Sequence, residues 1–121
     1  MLYLGCTKEV KHYKQREAFV KLIPNESKIP GLYVQENESD PTVYVKLFTP
    51  WAGWSWFLTE YDPKQDVAFG YAHNAADPQM AELGYVSVAE LRGIEGPFLL
   101  KIERDIHFAP QPLSSAKSAL L

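Results

Sequence analysis

The sequence holds a single cysteine, Cys6, so no intramolecular disulfide can form. One thiol also excludes a metal cluster built from several cysteines. Chains with so few cysteines are typical of reducing compartments, and the composition therefore favours a cytoplasmic protein.

The sequence also lacks a strong excess of either positive or negative charge. The 12 basic and 15 acidic residues leave a net charge of −3 and a pI near 5.6. A general nucleic-acid-binding domain normally carries a basic patch, so we expect no nucleic-acid partner. The acidity is also too mild for a protein that imitates the dense phosphate charge of DNA.

The common motifs of nucleophilic and nucleotide-dependent enzymes are missing. The sequence contains no Gly-x-Ser-x-Gly elbow, no Gly-x-Gly-x-x-Gly and no Gly-Lys-Ser/Thr phosphate loop. The histidines, His12, His73 and His107, lack the i, i+4 spacing of a zinc site. We therefore expect no cofactor and no metal.

Long apolar runs are absent as well. Residues 1–6 are apolar for only a few positions and lack a basic lead-in, so we expect neither a secretion signal nor a membrane span. The 121 residues, of which 46% are hydrophobic, predict one domain with its own core. Within it we expect a variable N-terminal helix and loop (1–30), a sheet core (31–112) and a tail (113–121).

The clearest positive signal is a hairpin over residues 40–61. Residues 43–48 and 54–59 each alternate β-branched or aromatic residues with others, on either side of a turn at residues 50–53. Period-two alternation around a Pro/Gly turn indicates two antiparallel strands.

Further strands are predicted on both sides of this hairpin. They are residues 32–34, 67–72, 83–86 and 98–108. Gly70 marks a bulge or a site of close packing. Together the patterns predict an α+β fold: a mostly antiparallel, meander-like sheet of about five strands.

Two helices complete this prediction. Apolar residues recur at helical spacing over residues 7–22, with Thr7 as N-cap and Pro24 as the stop. This helix would pack on one face of the sheet. Ser87 and Glu90 form a capping box, which predicts a short late helix that ends at Gly93. The tail is either frayed or a short helix that docks its leucines.

The last predicted strand contains an arginine at a core position. Even positions from Phe98 to Phe108 are apolar except Arg104. In an unbroken register its guanidinium faces the core and needs a carboxylate partner. The alternative is a β-bulge at Glu103 and Arg104 that turns the side chain outward. A functional interpretation is an Arg–carboxylate cluster that meets an anionic ligand or partner.

Carboxylates near the strand ends permit a second interpretation. Glu60, Glu103, Arg104 and Asp105 could converge in one cleft and act as the acid, base and electrostatic groups of a small hydrolase. No calcium-loop spacing occurs among them, and acidic turns are common without a site.

All three tryptophans lie in or beside the hairpin turn. Trp54 and Trp56 share one face and are predicted to be core. Trp51 lies in the turn itself, where its own sheet does not easily bury it. It therefore either anchors a partner or folds back to cap the core.

Several motifs in order carry a resemblance to a known family. They are residues 40–50, 54–60, 82–85, 89–91 and 102–105, with Phe108 and Pro110. The set, over residues 30–114, resembles the bacterial domain-of-unknown-function family 2958, whose small members are often carried by plasmids, conjugative elements and phages. The resemblance implies a setting, that of an accessory protein of mobile DNA, and assigns no catalytic residue.

We therefore expect a non-enzymatic adaptor that binds another protein through Trp51, Asp40 and Arg104. Transfer, regulation and counter-defence are the roles this setting implies. The alternative is the small hydrolase above. An exposed edge strand could also pair with a second copy of the chain.

Overall fold

The computed structural model describes residues 21–120, and the predicted hairpin lies at its centre. The strands are β1 (Thr42–Val43), β2 (Val45–Phe48), β3 (Trp54–Asp62), β4 (Val67–Asn74), β5 (Glu82–Ser87), β6 (Glu103–Arg104) and β7 (Gln111–Pro112). The helices are α1 (Val88–Gly93) and α2 (Leu113–Ser118), and 3-10 turns occupy Pro78–Met80 and Pro97–Leu99.

Five strands form one antiparallel sheet in the order β5-β4-β3-β2-β6, which confirms the predicted sheet. Within the hairpin Val45 lies opposite Leu58, and Leu47 lies opposite Trp56. β1 and β7 form a second, two-stranded sheet that the sequence patterns did not predict. Its strands are too short to show a period of two.

Gly70 is a site of close packing, as predicted. A Cβ atom at this position would lie 2.3 Å from the carbonyl oxygen of Phe57. The bulge lies on the opposite strand, because the β3–β4 register shifts between Leu58 and Glu60. Thr59 is the extra residue, and its hydroxyl donates to the Phe69 carbonyl at 3.1 Å. This accounts for the full burial of a polar side chain.

The predicted capping box at the start of α1 is confirmed on its serine side. The Ser87 hydroxyl accepts a hydrogen bond from the Glu90 amide at 3.2 Å, which satisfies one free amide of the first turn. Val88 and Leu91 are the buried residues of this helix, so α1 is held to the sheet by its apolar side.

Each face of the sheet has its own apolar cluster. The larger one joins strand residues such as Leu47, Trp56 and Leu58 to Val88, Leu91 and Ile102. The smaller one places Phe57 against Leu113 and Ala116 of α2. α2 settles the structure of the tail in favour of a short docked helix.

The predicted strand over residues 98–108 is wrong except at Glu103 and Arg104. β2 offers only four residues, and β6 pairs with Leu47 and Phe48 alone. Of the apolar residues at even positions, Ile102 is fully buried, whereas Phe98 and Ile106 are exposed. The alternation was real, but the neighbouring strand, β2, pairs with Glu103 and Arg104 alone.

The predicted strand at residues 32–34 is also wrong, because residues 32–37 form consecutive turns. The predicted helix at residues 7–22 lies outside the described residues except for Lys21 and Leu22, which are not helical. Among residues 21–120 no helix is long and apolar enough to cross a membrane.

Candidate functional site

Glu60 is buried and binds two backbone amides. Its carboxylate accepts hydrogen bonds from the amides of Tyr33 at 2.9 Å and Gln35 at 2.7 Å. The Gln35 side chain completes the connection by donating to the Thr59 carbonyl at 2.8 Å. Both carboxylate oxygens are therefore occupied in holding the turns at residues 32–37 to the β3 bulge.

The other three residues of the predicted hydrolase cluster lie elsewhere. Glu103, Arg104 and Asp105 line an open groove of about 340 Å³, together with residues of β2 and the chain as far as His107. Arg104 lies opposite Leu47, which lies opposite Trp56, four residues before Glu60 on β3. Four residues of strand span about 13 Å, so Glu60 is not part of this groove.

Within the groove, charged side chains form a long ion pair or a hydrogen bond to a backbone amide. Lys46 and Asp105 approach to 3.8 Å, and Asp105 also accepts the amide of His107 at 2.9 Å. Among residues 21–120, no group of three or more His, Cys, Asp or Glu side chains is placed to hold a metal ion. The residues that line the groove include no serine, threonine or cysteine, the usual nucleophiles of covalent catalysis.

Within residues 21–120, Arg104 has neither of the predicted structural roles. Its Nε donates to the carbonyl oxygen of Lys21 at 2.8 Å. No carboxylate in residues 21–120 lies within ion-pair distance of it. Arg104 therefore ties the edge of the sheet to the segment that enters the core at Leu22.

Asp40 acts as a remote cap of α2. Its carboxylate accepts the amide of Ser114 at 2.9 Å and the hydroxyl of Ser114 at 2.6 Å. The hydroxyl and then the amide of Ser114 lower the pKa of Asp40 below its ordinary value, and the charge of Lys117 acts in the same direction. Pro112 precedes the helix and provides no side-chain cap, so Asp40 replaces it.

Trp51 is partly buried and packs against the larger core cluster. Its indole lies flat against Gly96, where a Cβ atom would be only 2.2 Å from Cδ2. Trp54 is not core as predicted: it is exposed and stacks on Trp56 with ring centroids 5.7 Å apart. Trp51 thus supports the chain around Gly96.

The segment that Trp51 supports contains the most exposed apolar side chains among residues 21–120. We call residues 94–100 the apolar loop. Phe98 is 97% exposed and Leu99 is 74% exposed, and Ile94 and Leu100 are also exposed. A contiguous apolar surface of this kind typically marks an interaction site.

The base of the apolar loop is a small hairpin. Glu95 and Lys101 form a β-bridge and an ion pair at 3.0 Å, and the Gly96 amide donates to the Leu100 carbonyl at 2.8 Å. Leu91 before the loop and Ile102 after it are buried in the same core. The loop is therefore held at both ends while its tip points into solvent.

The tip is a tight turn occupied by unfavourable residue types. The Leu100 amide donates to the Pro97 carbonyl, and the two central residues, Phe98 and Leu99, have φ angles of 58° and 61°. Positive φ at both central positions is the geometry of a type I′ turn, which favours Asn-Gly. Bulky apolar residues there cost on the order of 1 kcal/mol each.

A polar network fixes α1, which leads into the apolar loop. The Tyr61 hydroxyl donates to Asp66 at 2.5 Å, and Arg92 of α1 forms an ion pair with the other oxygen of Asp66. Burial, followed by the hydrogen bond to Asp66, raises the pKa of Tyr61. Because the network joins α1 to the β3–β4 turn, the loop starts from a fixed point.

Sequence reasoning missed the apolar loop because its apolar residues also fit a strand. The signal that identifies it is Gly96-Pro97, a dipeptide that marks turns, directly before Phe98.

A model of the family described as Protein of unknown function (DUF2958) matches residues 14–119. The chain belongs to this family. The match covers the whole described sheet, both helices and the apolar loop. Comparison with curated proteins and with solved structures gives no significant match.

Proposed function

We infer that the protein is a non-enzymatic binding module that inserts its apolar loop into an apolar pocket of a partner protein. The observation that carries this inference is the tip itself: Phe98 is almost fully exposed and Leu99 is largely exposed, in a turn that disfavours both. Natural sequences break local preferences mainly at functional sites, where another requirement outweighs the cost.

The shape of the loop supports a role as an anchor. An aromatic side chain on a rigid support loses little conformational freedom when it enters a pocket, so more of the burial energy appears as affinity. Aromatic residues are also enriched in the buried centres of interfaces. Trp51 has a supporting role in this proposal, since it holds the base of the loop and leaves contact with the partner to Phe98 and Leu99.

The setting that we propose is the one the family resemblance implies. The module would be an accessory protein of mobile genetic elements in the bacterial cytoplasm, where it serves transfer, regulation or counter-defence by binding a bacterial protein. No observation on Glu60, Glu103, Arg104 and Asp105 favours a hydrolase, because the first of them lies outside the groove of the other three.

The test is a comparative pull-down from bacterial lysate. The bait variants are the wild type, the double variant Phe98→Asn/Leu99→Gly, and Ile106→Ser as a control for another exposed apolar residue. We expect a protein that is retained by the wild type and by Ile106→Ser but lost by the double variant. The double variant keeps the turn, because Asn-Gly suits its geometry.

Two results would contradict the proposal. One is a retained protein that binds all three baits equally, which would place the interface elsewhere. The other is a protein that neither Ile106→Ser nor the double variant retains, which would indicate nonspecific binding to exposed apolar side chains.

A further inference from the structure

A second surface, separate from the apolar loop, lies at the outer edge of the sheet. Among residues 21–120, β5 pairs only with β4, and its six residues contain neither proline nor lysine. The opposite edge, β6, has only two residues. Proteins usually protect long edge strands with proline, lysine or a cover, so an unprotected one indicates a pairing site.

The register shows which backbone groups of β5 point outward. The Val88 amide donates to the Asp66 carbonyl at 2.9 Å, which makes residues 66 and 88 a hydrogen-bonded pair. Such pairs alternate along an antiparallel ladder, so Gly84 opposite Gly70 and Val86 opposite Ala68 are hydrogen-bonded pairs too. The amides and carbonyls of the residues between them, Leu83 and Tyr85, therefore point away from β4.

The side chains of the same two residues form an exposed apolar shelf. Leu83 is 47% exposed and Tyr85 is 61% exposed. Tyr85 packs edge-on against Phe69 at 5.3 Å, and its hydroxyl donates to that of Tyr33 at 3.2 Å. An added strand would therefore find both hydrogen-bonding groups and a surface for its alternate side chains.

The charges around this edge are acidic. Glu82 begins the strand, and the exposed Glu90 follows it on α1. The charges of Glu60 and Glu36 act on Tyr85, whose pKa is raised first by the hydrogen bond with Tyr33 and further by these carboxylates. Arg92, the cation of α1, is already paired with Asp66.

We propose that β5 accepts an extended, lysine- or arginine-bearing segment of another protein as a sixth strand. Its apolar side chains would alternate over Leu83 and Tyr85, and the cations between them would lie on the opposite face of the sheet, which is the face of Glu82. A second copy of this chain fits less well, because it would bring its own acidic residues to the same edge. This surface is independent of the apolar loop and adds to the proposed function.

The probe is a fluorescent peptide of about ten residues that alternates valine with lysine, since strands of this length pair well. Its matched control alternates valine with glutamate. Fluorescence anisotropy with the full chain should show binding of the lysine peptide that weakens as salt rises, and much weaker binding of the glutamate peptide.

Substitutions at Leu83 separate backbone from side-chain recognition. Leu83→Pro removes an outward amide and costs no bond to β4, whereas Leu83→Ala keeps the amide and removes the side chain. We expect Leu83→Pro to weaken binding of the lysine peptide about tenfold or more and Leu83→Ala to weaken it less. Phe98→Asn/Leu99→Gly should bind the peptide like the wild type.

The variant Glu82→Lys tests the same edge without a proline. It should weaken binding of the lysine peptide and strengthen binding of the glutamate peptide. Three outcomes would overturn the proposal: equal binding by wild type and a folded Leu83→Pro, equal binding of both peptides, or a dimer of the wild type that Leu83→Pro dissociates. The last outcome would make a second copy the occupant of the edge.

Discussion

At the scale of single residues, the predicted site residues mostly hold the structure together through backbone groups. Glu60 accepts two amides, Arg104 donates to a carbonyl, and Asp40 accepts an amide and a hydroxyl of Ser114. Charged groups form strong hydrogen bonds with backbone, and removal of one leaves its partners unsatisfied. A charged residue in an unusual sequence position is therefore weak evidence for catalysis.

Asp40 makes this structural role measurable through pH. Its folded pKa lies below the ordinary value of 3.8, because Ser114 donates to the charged carboxylate. The stabilisation is complete above that ordinary value and is lost as the pH falls through the lower folded pKa. We expect Asp40→Asn to be less stable than wild type in urea unfolding near pH 7, and the difference to shrink as the pH falls below the ordinary value of 3.8.

The control is Asp77→Asn, because the Asp77 side chain makes no cap hydrogen bond. Its difference from wild type near pH 7 should be small. A difference at Asp40 that persists unchanged in acid would mean that the carboxylate charge does not stabilise α2.

At the scale of elements, local signals determined most of the strands near the hairpin, whereas pairing decided the rest. β2, β3, β4 and β5 all lie where alternation and turn residues predicted them. Residues 98–108 show the same alternation, but β2 offers them only Leu47 and Phe48 as partners. A strand requires a partner edge as well as a suitable sequence.

Two glycines that face each other across β4 and β5 test this view of packing. Gly70 lies against Phe57, with no room for a Cβ atom, whereas Gly84 opposite it has no atom within 4 Å of that position. We expect Gly70→Ala to lower the free energy of unfolding by about 2 kcal/mol or more, because the atom it meets is backbone. Gly84→Ala should change it by less than about 0.5 kcal/mol.

Chemical denaturation of both variants provides the measurement. If the two substitutions cost the same, the close approach of β3 to β4 at Gly70 does not control the stability of the sheet. If Gly84→Ala alone lowered the free energy of unfolding, the tight contact would lie between β4 and β5 and not between β3 and β4.

At the scale of the whole molecule, binding and stability are predicted to oppose each other at the apolar loop. Phe98 and Leu99 occupy turn positions that favour Asn-Gly. Phe98→Asn/Leu99→Gly should therefore raise the free energy of unfolding by about 1–3 kcal/mol while it abolishes partner binding. If Phe98 and Leu99 served only the fold, their replacement would not raise the free energy of unfolding and abolish partner binding together.

Phe98→Ala/Leu99→Ala is the matched control, because alanine removes the same side chains but keeps a Cβ atom at positive φ. It should lose the partner without the gain in stability, as measured by thermal unfolding. Equal stability of the two double variants would show that the turn carries no conformational cost.

The amino-acid sequence alone determined the central hairpin, the neighbouring strands, the capped helix α1 and the close packing at Gly70. Those features depend on neighbours in the chain or on residue types with one dominant use, such as glycine where a Cβ atom cannot fit. The tertiary structure decided where Glu60, Asp40 and Arg104 find their partners, because those partners lie 27, 74 and 83 residues away. It also decided that an apolar run beginning at Phe98 projects into solvent, since only the arrangement of the strands shows that the neighbouring strand, β2, pairs with Glu103 and Arg104 alone.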